Sequence, residues 1–159
     1  MTKTSSMPAN TRHRRETKWF PSVWRLCLLA GLCLPLTGCT EDQMTLNLVG
    51  YNHTDRSIYR FGVNEYGGAY LGAHRGGGKF TCCTSIPRAY KPGMTVKVWW
   101  SDWGGENAME RDVEVPRYGP DEGGRFAVHF LRGGEVKVFV TMMDLSHPDY
   151  PLKGDEAKL

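Results

Sequence analysis

The chain has no apolar run long enough to cross a membrane. Its longest, LCLLAGLCLPL at 26–36, counts eleven residues, whereas a spanning helix needs about 20 to cross roughly 30 Å of hydrocarbon. Basic character is also scarce once the start of the chain is set aside. The formal net charge is +3, but six of the 20 cations and only one of the 17 anions precede Cys39, so residues 39–159 hold 14 cations against 16 anions. No Lys/Arg block remains there, which excludes a nucleic-acid partner. Beyond Cys39 the only thiols are Cys82 and Cys83, and no C-x-x-C spacing supports redox catalysis. No H-x-x-x-H or H-E-x-x-H pair offers metal ligands, and no G-x-S-x-G elbow offers a nucleophile. No cofactor, no metal and no enzymatic activity are therefore expected.

What is present at the start of the chain is a leader. Arg12, Arg14, Arg15, Lys18 and Arg25 precede the short apolar run, with only Glu16 against them. A basic segment, an apolar stretch of about 7–15 residues and small residues before a cut describe a secretory signal peptide. Pro35 argues against the other reading, a buried core helix. The run ends in Leu36-Thr37-Gly38-Cys39, which resembles the lipobox of bacterial lipoproteins. That resemblance implies a diacylglyceryl group on the Cys39 thiol, with Cys39 as the new N-terminus and palmitate-class acyl chains as the anchor. Thr40 stands where inner-membrane lipoproteins usually carry aspartate, so the implied location is the inner leaflet of the outer membrane, facing the periplasm. The domains expected are a signal peptide at 1–38, a lipidated tether at 39–43, one β domain at 44–146 and a polar, loosely held tail at 147–159.

The β domain is read from period-2 patterning. In Met44–Tyr51, Met44, Leu46 and Leu48 share one side. In Ser57–Val63, Tyr59, Phe61 and Val63 fall together, opposite Ile58. Thr95–Ser101 is rich in β-branched and aromatic residues and follows a Pro92-Gly93 turn. Ala108–Val115 alternates valines with charges. RFAVHFL and EVKVFVT, joined by Arg132-Gly133-Gly134, read as a hairpin over Arg125–Thr141. Short strands with frequent turns predict an all-β protein, a small antiparallel β-sandwich that is Ig-like or a partly open barrel.

Several side chains invite chemistry. Neighbouring strand residues point to opposite faces, so Cys82 and Cys83 bond to each other only where the backbone is distorted. A vicinal disulfide and two reduced, buried thiols both remain open. His53 with Asp55 is a conceivable acid/base pair, but Asn52-His53-Thr54-Asp55 reads more simply as a polar turn. Two loops say more. Glu65–Lys79 holds six glycines with Tyr66, Tyr70, Leu71, His74 and Arg75, and is either a mobile tip or a platform for another surface. In Trp99–Asp112, Trp99 and Trp100 should face opposite ways. Trp103 is either an exposed anchor of the kind seen in protein interfaces or a lid folded over the core. Tyr70, His74, Asp102, Trp103 and Glu106 are the candidate contacts for a partner.

The stretch N-x-x-G-Y-N-H-T-D-R-x-I (Asn47–Ile58), then F-x-V-N (Phe61–Asn64), G-G-G-K-F-T-C-C (Gly76–Cys83) and P-G-x-x-V-x-V-x-W (Pro92–Trp100), behind a lipobox, is suggestive. Together they resemble an uncharacterised, domain-of-unknown-function family of proteobacterial lipoproteins. The resemblance spans roughly residues 46–142 and implies genes set beside type VI secretion effectors, especially lipases. The implied role is an immunity protein that binds a secreted toxin in the periplasm. Two other classes stand beside it: a structural or assembly lipoprotein binding a resident envelope protein or glycan, and a small hydrolase using His53 and Asp55.

Overall fold

Alternating apolar and polar residues in QMTLNLVGYN build β1 (Gln43–Asn52), the strand around which the others are arranged. The computed structural model describes residues 41–159, so the expected signal peptide and Cys39 lie outside the described residues. β1 is followed by β2 (Arg60–Val63), β3 (Tyr66–Gly67), β4 (Arg75–Gly76), β5 (Thr81–Pro87) and β6 (Thr95–Ser101). Then come β7 (Met109–Glu114), β8 (Arg125–Phe130) and β9 (Val136–Thr141), with short 3₁₀ turns at Trp103–Gly105 and Gly154–Ala157.

The strands form two open sheets. One has the order β4-β1-β8-β9, with β5 pairing along the rest of the same β1 edge; the other has the order β3-β2-β6-β7. Leu46, Leu48, Phe126, Val128 and Val138 of the first sheet meet Phe61, Val63, Val98 and Val113 of the second in one core. Burying each such side chain contributes about 1.5–3 kcal/mol against chain entropy. The protein is a small β-sandwich, and neither sheet closes into a barrel.

One pairing departs from the antiparallel expectation. β1 and β8 run parallel in register, Asn47 opposite Arg125 through Asn52 opposite Phe130. Between Asn52 and β8 the chain adds β4 and β5 on the far edge of β1 and builds the second sheet, then returns to the end where β1 began before entering β8. It therefore traverses the first sheet in the same direction twice. The expected hairpin is present, Arg125 opposite Thr141 through Phe130 opposite Val136. The second expected strand is shorter than its pattern suggested. Ile58 pairs with Leu71 in an isolated bridge before β2 begins at Arg60. The bend between them lets Ile58 and Phe61 both point into the core, while Tyr59 faces out.

The larger correction concerns residues 147–159. They are packed against the domain rather than loosely held. The outer face of the first sheet is apolar: Val49, Tyr51, Ala127 and Leu131 are buried there, and Phe139 half-buried. The C-terminal strap covers it with Met143, Leu145, Tyr150 and Leu152, and Tyr150 is only 1% exposed. This third layer explains why FAVHFL reads as a continuous apolar run. β8 is covered on both faces.

Cys82 and Cys83 are bonded to each other within β5, where the ladder to β1 slips. Leu46 faces Thr84 and Leu48 faces Thr81, so β5 carries one extra residue across that step. The distortion that a vicinal disulfide requires is thus a bulge inside a strand. Cys82 is exposed and Cys83 half-buried, which sets aside the reading of two buried thiols.

The glycine-rich segment is not a free tip. A Cβ on Gly76 would lie 2.5 Å from the Gly50 carbonyl oxygen and from the Tyr51 Cα, whereas one on Gly78 would meet nothing within 4 Å. Gly76→Ala is expected to lower stability by about 1–3 kcal/mol through overpacking, with Gly78→Ala close to neutral. Chemical denaturation of the two variants checks this.

Candidate functional site

The site grows from the end of β1. Asn52, fully buried, spends its side chain on the turn that follows. Its Oδ1 accepts the Thr54 amide at 3.1 Å and the Thr54 hydroxyl at 2.8 Å. Its Nδ2 donates to the Arg56 carbonyl at 2.7 Å and to the Gly72 carbonyl at 3.0 Å. One amide therefore shapes the turn and ties the glycine-rich segment to it.

The turn then gathers both loops singled out in the sequence. His74 Nε2 and Asp55 Oδ1 are 2.7 Å apart, and the Tyr70 hydroxyl donates to Ser57 Oγ at 3.1 Å. On the other side Arg56 lies 3.6 Å from Asp102 Oδ2, and the Tyr59 ring packs against Trp103 with centroids 4.4 Å apart. His74 holds a left-handed backbone at φ 52°, an uncommon conformation for a residue with a Cβ. The Trp103 loop is closed by the Asp102 amide donating to the Glu106 carbonyl at 3.1 Å and by Asn107 Nδ2 donating to Asp102 Oδ2 at 3.0 Å. Tyr70, His74, Asp102, Trp103 and Glu106 thus all belong to the loops at one end of the sandwich. Trp103 is 75% exposed and is no lid over the core. Trp100 is buried and packs edge-on against Phe130, while Trp99 faces outward and donates its indole N–H to the Asn64 carbonyl at 2.9 Å.

Two grooves flank this end. One, of about 730 Å³, is lined by Tyr59, Arg60, Trp99, Trp103, Met109 and Glu110. The other, of about 560 Å³, opens between the sheets over Ile58, Trp100, Phe130 and Val136, with Arg56, Arg111 and Glu135 at its rim. Arg111 Nη1 donates to the Gly134 carbonyl at 2.9 Å and so joins the 131–135 hairpin turn to the same end. Sequence reasoning missed Arg56, Tyr59 and Arg111. The first two sit in a stretch read as turn and strand start, and nothing in their spacing distinguishes a contact residue from a solvated one.

The conceivable His53–Asp55 pair is not assembled. His53 points to the opposite side of β1 and engages Lys158 and His129, while Asp55 engages His74. Among the described residues no group of three or more His, Cys, Asp or Glu is placed to hold a metal ion. What the site offers is an exposed aromatic, paired charges and apolar grooves on loops tied to a buried asparagine and to one another, an arrangement suited to binding a surface. Asn52→Ala removes four hydrogen bonds beneath it and should cost about 2 kcal/mol or more. Trp103→Ala should stay within about 0.5 kcal/mol of the parent. Thermal or denaturant melts of both test the contrast.

No curated protein and no solved structure matches the chain. Residues 51–138, over half of it, match the family described as Protein of unknown function (DUF3304). That span takes in the end of β1, the Asn52 turn, both loops, the disulfide and the 131–135 turn; the chain belongs to the DUF3304 family.

Proposed function

We propose that this protein is a lipid-anchored periplasmic binding protein, and more specifically an immunity protein that neutralises a type VI secretion effector of the lipase class. The observation that carries the reading is Trp103, an exposed indole on a closed loop, in a cluster at the end of β1 opposite its entry at Gln43. Ten strand residues at about 3.3 Å each separate the two ends by roughly 33 Å. An acyl anchor on Cys39 would hold the Gln43 end near the membrane and turn the loops toward an incoming toxin. The lipobox and the family resemblance supply the compartment, and the rigid sandwich supplies preorganised loops. Such a protein acts by occupying the toxin surface, with Trp103 as anchor and Tyr70, His74, Asp102 and Glu106 around it.

The second reading, an envelope lipoprotein that binds a resident protein or glycan, draws on the aromatic groove. A Cβ on Gly62 would lie 2.3 Å from the Trp99 indole, so the ring packs closely on the backbone there, and Trp99 lines the groove with Tyr59 and Trp103. A flat, fixed ring of this kind suits a sugar face as well as a side chain.

The two readings part in one experiment. The product of the adjacent gene is directed to the periplasm with and without this protein, and survival is scored beside a pull-down. Rescue with capture supports immunity; no toxicity and no capture leaves the envelope reading. In the first case Trp103→Ala is expected to weaken binding by about 2 kcal/mol or more, roughly thirtyfold in Kd, with an unchanged melting temperature. Cys39→Ser should abolish incorporation of labelled palmitate and release the protein from membranes.

A further inference from the structure

The polar groups beneath the C-terminal strap form a line with a single direction. The Lys158 carbonyl only accepts, so His53 Nδ1, 2.9 Å away, carries the proton and donates. A neutral His53 then has a bare Nε2, which accepts from Nδ1–H of His129 at 3.0 Å. His129 Nε2 is bare in turn and accepts from the Tyr150 hydroxyl at 2.7 Å. His53, His129 and Tyr150 are all buried. Tyr51 stacks flat on His129 at 4.6 Å, and Phe139 and Tyr150 meet it edge-on. With both histidines neutral, every donor and acceptor in the line is satisfied.

We propose that this line is an acid-sensitive latch, in which proton uptake by the His53–His129 pair releases the C-terminal strap from the outer face of the first sheet. A proton added at His53 Nε2 makes that nitrogen a donor. His129 can accept it at Nδ1 only by carrying its own proton on Nε2, which then donates to the Tyr150 oxygen. The hydroxyl of Tyr150, whose one hydrogen-bond partner among the described residues is His129, is left with a buried proton and nowhere to donate it. One proton thus reverses the His53–His129 and His129–Tyr150 bonds, leaves His53 donating to the Lys158 carbonyl, and undoes the line where Tyr150 seats the strap.

The surroundings oppose protonation. Burial first, then His53 and Lys137 of β9, push His129 down to about 3. Burial also lowers His53; Arg132 and His74 act in the same direction, against Glu156 and the Lys158 carbonyl. Glu156 is itself held by Lys137 at 2.8 Å. On the strap, Asp144 pairs with Arg125, and His147 Nδ1 accepts the Asp149 amide. A histidine held below its free value of about 6.5 favours the closed form above that pH, and this preference is lost as pH falls through it. Opening uncovers Val49, Tyr51, Ala127 and Phe139, an apolar surface hidden at neutral pH.

Hydrogen exchange on the full chain in detergent micelles, corrected for intrinsic rates, tests the latch. Between pH 7.5 and 5.0 carboxylates stay largely ionised. Protection of amides 145–158 is expected to fall at least about tenfold while β6 keeps its own. His53→Gln leaves only His129 of the pair to titrate and should make the dependence shallower, and His147→Gln should retain it. If His53→Gln does not fold, Tyr150→Phe replaces it and should give a less protected strap at pH 7.5 with a shallower fall. Constant strap protection, equal loss in β6, an unaltered dependence in the substituted latch, or its disappearance in His147→Gln overturns the proposal.

Discussion

Two adjacent buried side chains at the end of β1 organise most of what lies around them. Asn52 turns one way and holds the 53–59 turn and the glycine-rich segment. His53 turns the other way and meets His129 and the C-terminal strap. The constraint behind both is that a buried donor or acceptor must find a partner, because water is excluded from it. In a sandwich this small, satisfying two such residues dictates where three separate chain segments lie. Asn52 fixes the turn and the Gly72 end of the glycine-rich segment, and contacts from that turn to Tyr70, His74, Asp102 and Trp103 position the loops above it.

The same pair divides the molecule by character. On the Asn52 side the groups are exposed, charged and aromatic, and their bonds are short links between loops. On the His53 side they are neutral, aromatic and dry. Burial raises the Tyr150 hydroxyl and depresses both imidazoles, so the line stays uncharged across the neutral range. An exposed loop cluster and a buried polar line are thereby built back to back at the end of one strand.

Much of the sandwich was legible because one face of each strand looks into a single core. Met44, Leu46 and Leu48, the opposed faces of Trp99 and Trp100, and the Arg125–Thr141 hairpin all follow from period-2 alternation. What alternation cannot encode stayed hidden. Residues 147–159 bury only Tyr150 and Leu152 of their large apolar residues, Leu159 being exposed, so their packing depends on a partner face that composition does not reveal. β5 was obscured because the extra residue at Cys82-Cys83 breaks the period. The parallel β1–β8 pairing depends on the path of the intervening chain, which no local pattern records. At the site, Trp103 was legible as an aromatic between glycines and carboxylates. Tyr59 and Arg56 were not, because their role comes from packing across the turn.

That parallel pairing has a consequence for assembly. Asn47 lies beside Arg125, and Asn52 beside Phe130, so the central seam of the first sheet joins positions 78 apart in the chain. β1 emerges first from whatever delivers the polypeptide, with Leu46, Leu48, Val49 and Tyr51 on its two faces. Its neighbours on one edge, β4 and β5, follow first, and β8 on the other edge arrives only after the second sheet has passed. Seams of such long range form slowly, because loop closure precedes any contact that rewards it. Until then β1 presents an open edge on its β8 side, the kind of unpaired strand that exposes a folding chain to mispairing.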